Sequence, residues 1–210
     1  MMRFFALPLF LSLGTLALAS PCSPKEVTIT PQQILQVAPN STTCADAPVN
    51  APGECATAIQ AAPALSAAFT KYAVTSKAEQ AAVLGLIAFE SGEFKYNRNH
   101  YPGVPGQGTR NMQSPAFNAE YASSIPAIKE QAEAVKDDPD AVLDLLVAVS
   151  EYDFGSGAWF LTTQCKEPIR TALQSGSEEG WRGFIVECVG TEANDARKEY
   201  WVSAKGALRV

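Results

Sequence analysis

Two carboxylates stand where helical spacing places them among apolar side chains. Val83, Leu86, Ile87 and Glu90 recur at helical intervals and share one stripe, and Asp153 closes a similar stripe made by Val142, Leu145, Leu146, Val149 and Tyr152. A carboxyl held against apolar neighbours keeps its proton more readily than one in water, which suits a general acid. Glu90 is therefore the candidate proton donor and Asp153 the candidate second carboxylate, with Glu93 as a rival. The bland alternative for Glu90 is a frayed last turn in which Lys95 or Arg98 pairs with it. For Asp153 it is a helix-end residue bonded to its own backbone. Between the two acids lies an amide-rich stretch carrying Asn111 and Gln113. His100 is the only histidine and no nucleophile elbow accompanies it, so it receives no catalytic role. Gly103 to Gly108 matches neither a dinucleotide fingerprint nor a phosphate loop, and no cofactor is implied.

The elements that must position these groups are helices. Ser76 with Glu79 has the spacing of a capping box, and Lys77 to Ser91 should form a helix stopped by Gly92. Asn97 to Gly108 should be a Gly/Pro-rich loop long enough to serve binding. Thr30-Pro31 opens a short helix through Gln36, and another pattern begins at Ala64. Further helices are expected over Ile125 to Val135, from Asp138-Pro139 to Tyr152, and at Pro168–Leu173, Glu178–Val189 and Glu192–Ala204, the last capped by Thr191. No alternating strand pattern or repeat appears, so the expected fold is mainly α, with a small hairpin allowed in the Gly/Pro loop.

A chain of 210 residues with 47% hydrophobic content can bury a proper core as one domain. Met1 to Ala19 reads as a signal peptide, with Arg3, an apolar run and the small residues Ala17-Leu18-Ala19. Residues 20–63, rich in Pro, Ala, Ser and Thr, read as an N-terminal extension on a body spanning 64–210. Export makes the five cysteines disulfide candidates. Their spacing leaves the scheme open, and local pairing favours Cys44–Cys55 and Cys165–Cys188 with Cys22 left over. Their pattern is not that of a zinc site, and no metal site is expected. Asn40-Ser41-Thr42 is a glycosylation sequon. A net charge of −6 argues against nucleic acid as a partner, and no run after the leader is long enough to anchor in a membrane. The expected product is a secreted, extracellular, soluble monomer.

Three marks recur in order: Glu90-Ser91-Gly92, Asn111-Met112-Gln113-Ser114 and Tyr152-Asp153-Phe154-Gly155. Together they resemble the lysozyme-like superfamily, specifically the goose-type lysozymes and soluble lytic transglycosylases, whose signature is Glu-Ser, then Gly-Leu-Met-Gln, then Ala-Tyr-Asn-x-Gly. The resemblance covers about Ser76 to Gly157. It departs at Arg110-Asn111 in place of Gly-Leu, at Glu151 in place of Ala and at Asp153 in place of Asn. The resemblance implies a lysozyme-like helical domain with a Gly/Pro-rich cleft loop, Glu90 as catalytic acid, and Ser91, Asn111, Gln113 and Tyr152 beside a polysaccharide substrate. Asp153 would be the base of an inverting pair. The implied activity is a lysozyme-type glycoside hydrolase, or muramidase, cleaving β-1,4 bonds of cell-wall peptidoglycan. The alternatives are a chitin- or chitosan-acting hydrolase and a glycan-binding protein without turnover.

Overall fold

The computed structural model describes residues 1–2 and 26–210. The expected leader and Cys22 lie outside these. The described chain is mainly α: α1 (Pro31–Val37), α2 (Ala58–Lys71), α3 (Lys77–Glu90), α4 (Pro115–Ser124), α5 (Lys129–Ala134), α6 (Pro139–Val147), α7 (Ser150–Asp153), α8 (Ser156–Thr163), α9 (Glu167–Gln174), α10 (Glu178–Gly183) and α11 (Asp195–Leu208). A 3-10 turn follows α1 and a π-helical turn, Phe184–Val189, follows α10. The extended pairing described is two isolated antiparallel bridges, Arg98 with Gly108 and Gly108 with Gln113, inside the Gly/Pro loop. No described helix is long and apolar enough to cross a membrane.

α3 is the axis. Its residues from Ala78 to Ala88 are all buried, so the stripe expected on one face is a helix enclosed on every side. α11 crosses it so closely that a β-carbon on Gly85 would meet the Trp201 Cα and N at 2.9 Å. The lone glycine of the run thus lets two backbones touch. Trp201 stacks on Trp181 from α10 at 5.0 Å between ring centroids. The capping box expected at Ser76 does not form: Ser76 makes no side-chain cap, and Glu79 turns inward to accept from Arg170 Nε at 2.9 Å. Capping boxes form instead at Thr30 with Gln33 and at Thr57 with Gln60.

The expected boundary between residues 63 and 64 falls inside α2, where Pro63 is accommodated within the helix. α1 packs on α2 and α11 with Ile34 fully buried. Ile29, Ile34, Val37, Ala58 and Ala61, all in the segment read as an extension, are therefore part of the core. Cys44–Cys55 and Cys165–Cys188 are both disulfides, the first closing the loop before α2 and the second tying the end of α8 to the π turn. The expected long helix to Tyr152 is two pieces, α6 and α7, with extended backbone at Val149 between them. Asp138 caps α6 by accepting from the amides of Asp140 and Ala141.

Candidate functional site

α3 ends as the glycine predicts. Gly92, Glu93 and Phe94 all adopt positive φ, at 57°, 56° and 69°, and the Glu93 amide donates back to Ala88 O at 2.7 Å. Two side chains in that conformation carry strain of about 1–3 kcal/mol each, which persists only where surroundings hold them. Phe94 is fully buried with its ring edge against Phe154, 5.2 Å between centroids. The Glu93 carboxylate accepts from Asn40 N, Asn40 Nδ2 and Tyr200 OH. Glu93 is thus a bonded structural residue and not a free base.

Glu90 itself emerges at the helix end, half-buried, and lines a groove. The groove has two chambers of about 250 and 310 Å³ that share Glu90, Gln107 and Met112. One chamber lies under the loop and is faced by Tyr96, Asn99, His100 and Tyr101. The other lies toward α4 and α8, with Asn111, Gln113, Ser114 and Thr191 as polar lining and Met112, Phe117, Phe160 and Val189 as apolar lining. Glu90 Oε1 accepts from both Arg197 Nε at 3.0 Å and Arg197 Nη2 at 2.9 Å. The guanidinium also lies over the Phe89 ring, 4.6 Å from its centroid, and donates to Glu192 O. Neither expected partner takes this role, because Lys95 pairs with Asp46 at 2.5 Å and Arg98 with Asp144. Arg197 was not legible as a site residue, since 107 positions separate it from Glu90.

The other sequence-predicted residues divide sharply. Asn111 and Gln113 line the second chamber, but Gln113 is 5% exposed and its Nε2 donates to Asn118 Oδ1 at 2.8 Å, so the expected exposed amide is a buried one. Ser91 is fully buried, its hydroxyl donating to Ile87 O and accepting from Phe94 N. It shapes the helix end and does not line the groove. Tyr152 packs on the core, and its carbonyl accepts from Tyr121 OH at 3.1 Å.

Asp153 needs the largest correction. It is 3% exposed, absent from the groove lining, and accepts from Arg110 Nε at 2.8 Å. Burial pushes its carboxyl up to about 6 against the pull of Arg110. The remaining Arg110 nitrogens donate to the carbonyls of Phe94, Tyr96 and Glu54. The side chain that replaces the glycine of the resembled signature is therefore a buried tie joining the loop, α7 and the segment before α2. Glu54 extends that tie, accepting from the amides of Asn97 and Arg98 and meeting His100 Nε2 at 2.8 Å. Gly155 permits the close approach, since a β-carbon there would lie 2.4 Å from Glu151 O and 2.7 Å from Tyr121 OH.

Glu90 and Asp153 do not form an acid and base pair across one groove. Among the described residues no three His, Cys, Asp or Glu side chains lie together as a metal site would require. The groove offers one carboxylate with its arginine, Arg98 (itself paired with Asp144), the His100 imidazole, amides, hydroxyls and aromatic faces.

Over 155 residues the chain is 51% identical to a Fusarium oxysporum (strain Fo5176) protein named bifunctional dioxygenase (DOX)-epoxy alcohol synthase (EAS). The match covers 71% of this chain and 12% of that protein, so the chain spans only a small part of the relative it matches. No family model matches the chain, and no solved structure matches it. The relative is named for oxygenation and synthesis, not for hydrolysis. That name overturns the expectation of a lysozyme-type glycosidase acting on peptidoglycan, together with its chitin, chitosan and glycan-binding alternatives.

Proposed function

We propose that this chain is a ligand-binding module whose groove takes a neutral molecule with an apolar body and hydroxyl or epoxide oxygens. The observation that carries the reading is the divided lining of the 310 Å³ chamber: the Glu90–Arg197 pair and amides among the polar groups, Met112, Phe117, Phe160 and Val189 among the apolar ones. Pockets that pair apolar surface with a few convergent polar groups are the usual small-molecule sites. An epoxy alcohol is the molecule class printed in the relative's name, and it has this composition. Glu90 is placed to accept from the ligand hydroxyl. Arg197, with part of its donor set turned to Glu90 and Glu192, holds that acceptor in place.

The scaffold supports a further reading, of architecture alone: α3 ending on Glu90 and the loop closing on Met112-Gln113 follow the order of a lysozyme-like domain. We also assign the chain to the secretory route, a reading supported by the two disulfides, which persist in oxidising compartments.

Titration calorimetry with a medium-chain aliphatic epoxy alcohol tests the function. Binding is expected to weaken about tenfold or more in Glu90→Gln, because a hydrogen bond to a charged group contributes about 1.5–3 kcal/mol. It is also expected to weaken in Phe117→Ala through lost apolar contact. An alkane of equal length lacking both oxygens should bind more weakly than the epoxy alcohol. Equal affinity for alkane and epoxy alcohol, or no binding by the folded wild-type chain, refutes the reading.

A further inference from the structure

We infer that Asn40 is an N-glycosylation site, and that its linking amide stays seated on a buried carboxylate, Glu93. The inference rests on the secretory reading above and on geometry that the groove does not use. Asn40-Ser41-Thr42 is the chain's one Asn-x-Ser/Thr triplet with no proline in the middle. Asn40 and Thr42 are both exposed residues, on the 3-10 turn Pro39–Thr42 that follows α1, where the Thr42 hydroxyl donates to Pro39 O at 2.8 Å.

Only one amide hydrogen of Asn40 is spoken for. Its Nδ2 donates to Glu93 Oε1 at 3.1 Å, while its backbone N donates to Glu93 Oε2 at 2.6 Å. Glu93 is 8% exposed, and Oε1 also accepts from Tyr200 OH at 3.0 Å. In the modification, a lipid-pyrophosphate-linked oligosaccharide supplies the sugar. Its anomeric C–O bond to phosphate breaks, a C–Nδ2 bond forms, Nδ2 loses one proton and the lipid pyrophosphate leaves. The second amide hydrogen remains for Glu93, so the glycosylated side chain keeps its place in the fold.

The full chain, expressed behind a host secretion signal in a eukaryotic cell, tests this without depending on its own leader. Endoglycosidase H and peptide N-glycosidase each trim glycan to a gel shift, and the expected result is one shifted site in wild type and Thr42→Ser. Thr42→Ala and Asn40→Gln should show none, and Thr42→Ala leaves the Asn40–Glu93 contact intact. Secreted wild type with both disulfides formed but no shift overturns the inference while leaving the secretory reading standing. A shift that persists in Thr42→Ala overturns it as well. A chain that carries the secretion signal yet forms no disulfides counts against the secretory reading itself. Seating is read separately. Peptide N-glycosidase converts Asn40 to aspartate and sets a second carboxylate against Glu93, so Tm should fall by several degrees. Endoglycosidase H keeps the amide, so Tm should hold. Equal Tm after both treatments overturns the seating on Glu93.

Discussion

Replacing Arg110 by methionine isolates the tie that holds the groove loop to the body. The substitution keeps an unbranched apolar stem and removes four donated hydrogen bonds, one to Asp153 and three to the carbonyls of Phe94, Tyr96 and Glu54. Breaking a buried ion pair by removing one partner costs about 3–5 kcal/mol, because the other charge stays buried alone. Each carbonyl left without a donor adds about 1–3 kcal/mol unless water reaches it. The expected loss at pH 7 is therefore at least about 5 kcal/mol, comparable with the whole stability of many domains. Urea denaturation at pH 7 and pH 5 is the assay. At pH 5 the orphaned Asp153, already pushed up to about 6 by burial in the intact protein, takes up a proton, so the deficit should shrink. Adding Asp153→Leu should return the charge share of the loss but not the carbonyl share. A single variant within about 1.5 kcal/mol of wild type, or a deficit that does not shrink between pH 7 and pH 5, would refute the argument.

Gly85→Ala should destabilise by about 1–3 kcal/mol although alanine is the better helix former by about 1 kcal/mol, because its β-carbon meets the Trp201 backbone at 2.9 Å; thermal melts decide the sign. Removing the Cys165–Cys188 bridge as a double serine variant should cost about 3 kcal/mol by loop-closure entropy for its 23-residue separation, read by urea denaturation under non-reducing conditions. Asp153 also gives a pH signature in the intact protein. Its folded value of about 6 lies above the ordinary aspartate value of about 3.9, so the folded state binds the extra proton between them. The stability it contributes is full below about 4 and is lost as pH rises through about 6. Asp153→Asn should flatten that portion of the stability curve, and an unchanged curve would assign the slope to other groups.

What the sequence conveyed, and what it withheld, follows the range of each interaction. The end of α3 was legible because it depends on residues adjacent in the chain, Gly92 above all. Both disulfides close local segments and were legible for the same reason. The stripe through Val83 and Ile87 was legible too, but periodicity cannot distinguish a helix buried on one face from one enclosed by α11, α9 and α8. The capping box at Ser76 failed because Glu79 had a distant competitor, Arg170, whose charge offers more than one backbone amide. Asp153 illustrates the same limit. An acid on an apolar stripe is equally consistent with a groove and with a buried ion pair, and only the position of Arg110, far away in sequence, decides between them.

The arginine–carboxylate contacts at Asp153 and at Glu90 then have different consequences for function. Arg110 uses its donors to join three backbone segments around a carboxylate that is fully enclosed, so its charge is committed to structure. Arg197 approaches a single oxygen of Glu90 and leaves the carboxylate at the groove, where both chambers reach it. A ligand donor at the second oxygen would meet an acceptor already oriented by Arg197 and by the cation–aromatic contact with Phe89, so little side-chain entropy is lost on binding. On the proposed function, specificity would lie in α11, the helix that supplies Arg197. Arg197→Lys keeps a positive charge but gives up the paired Nε and Nη2 contacts, so it should weaken ligand binding while costing little stability. Calorimetry and a melt on that one variant separate the two roles: weaker binding at unchanged Tm places Arg197 in the site, and a large fall in Tm with binding retained would make it another Arg110.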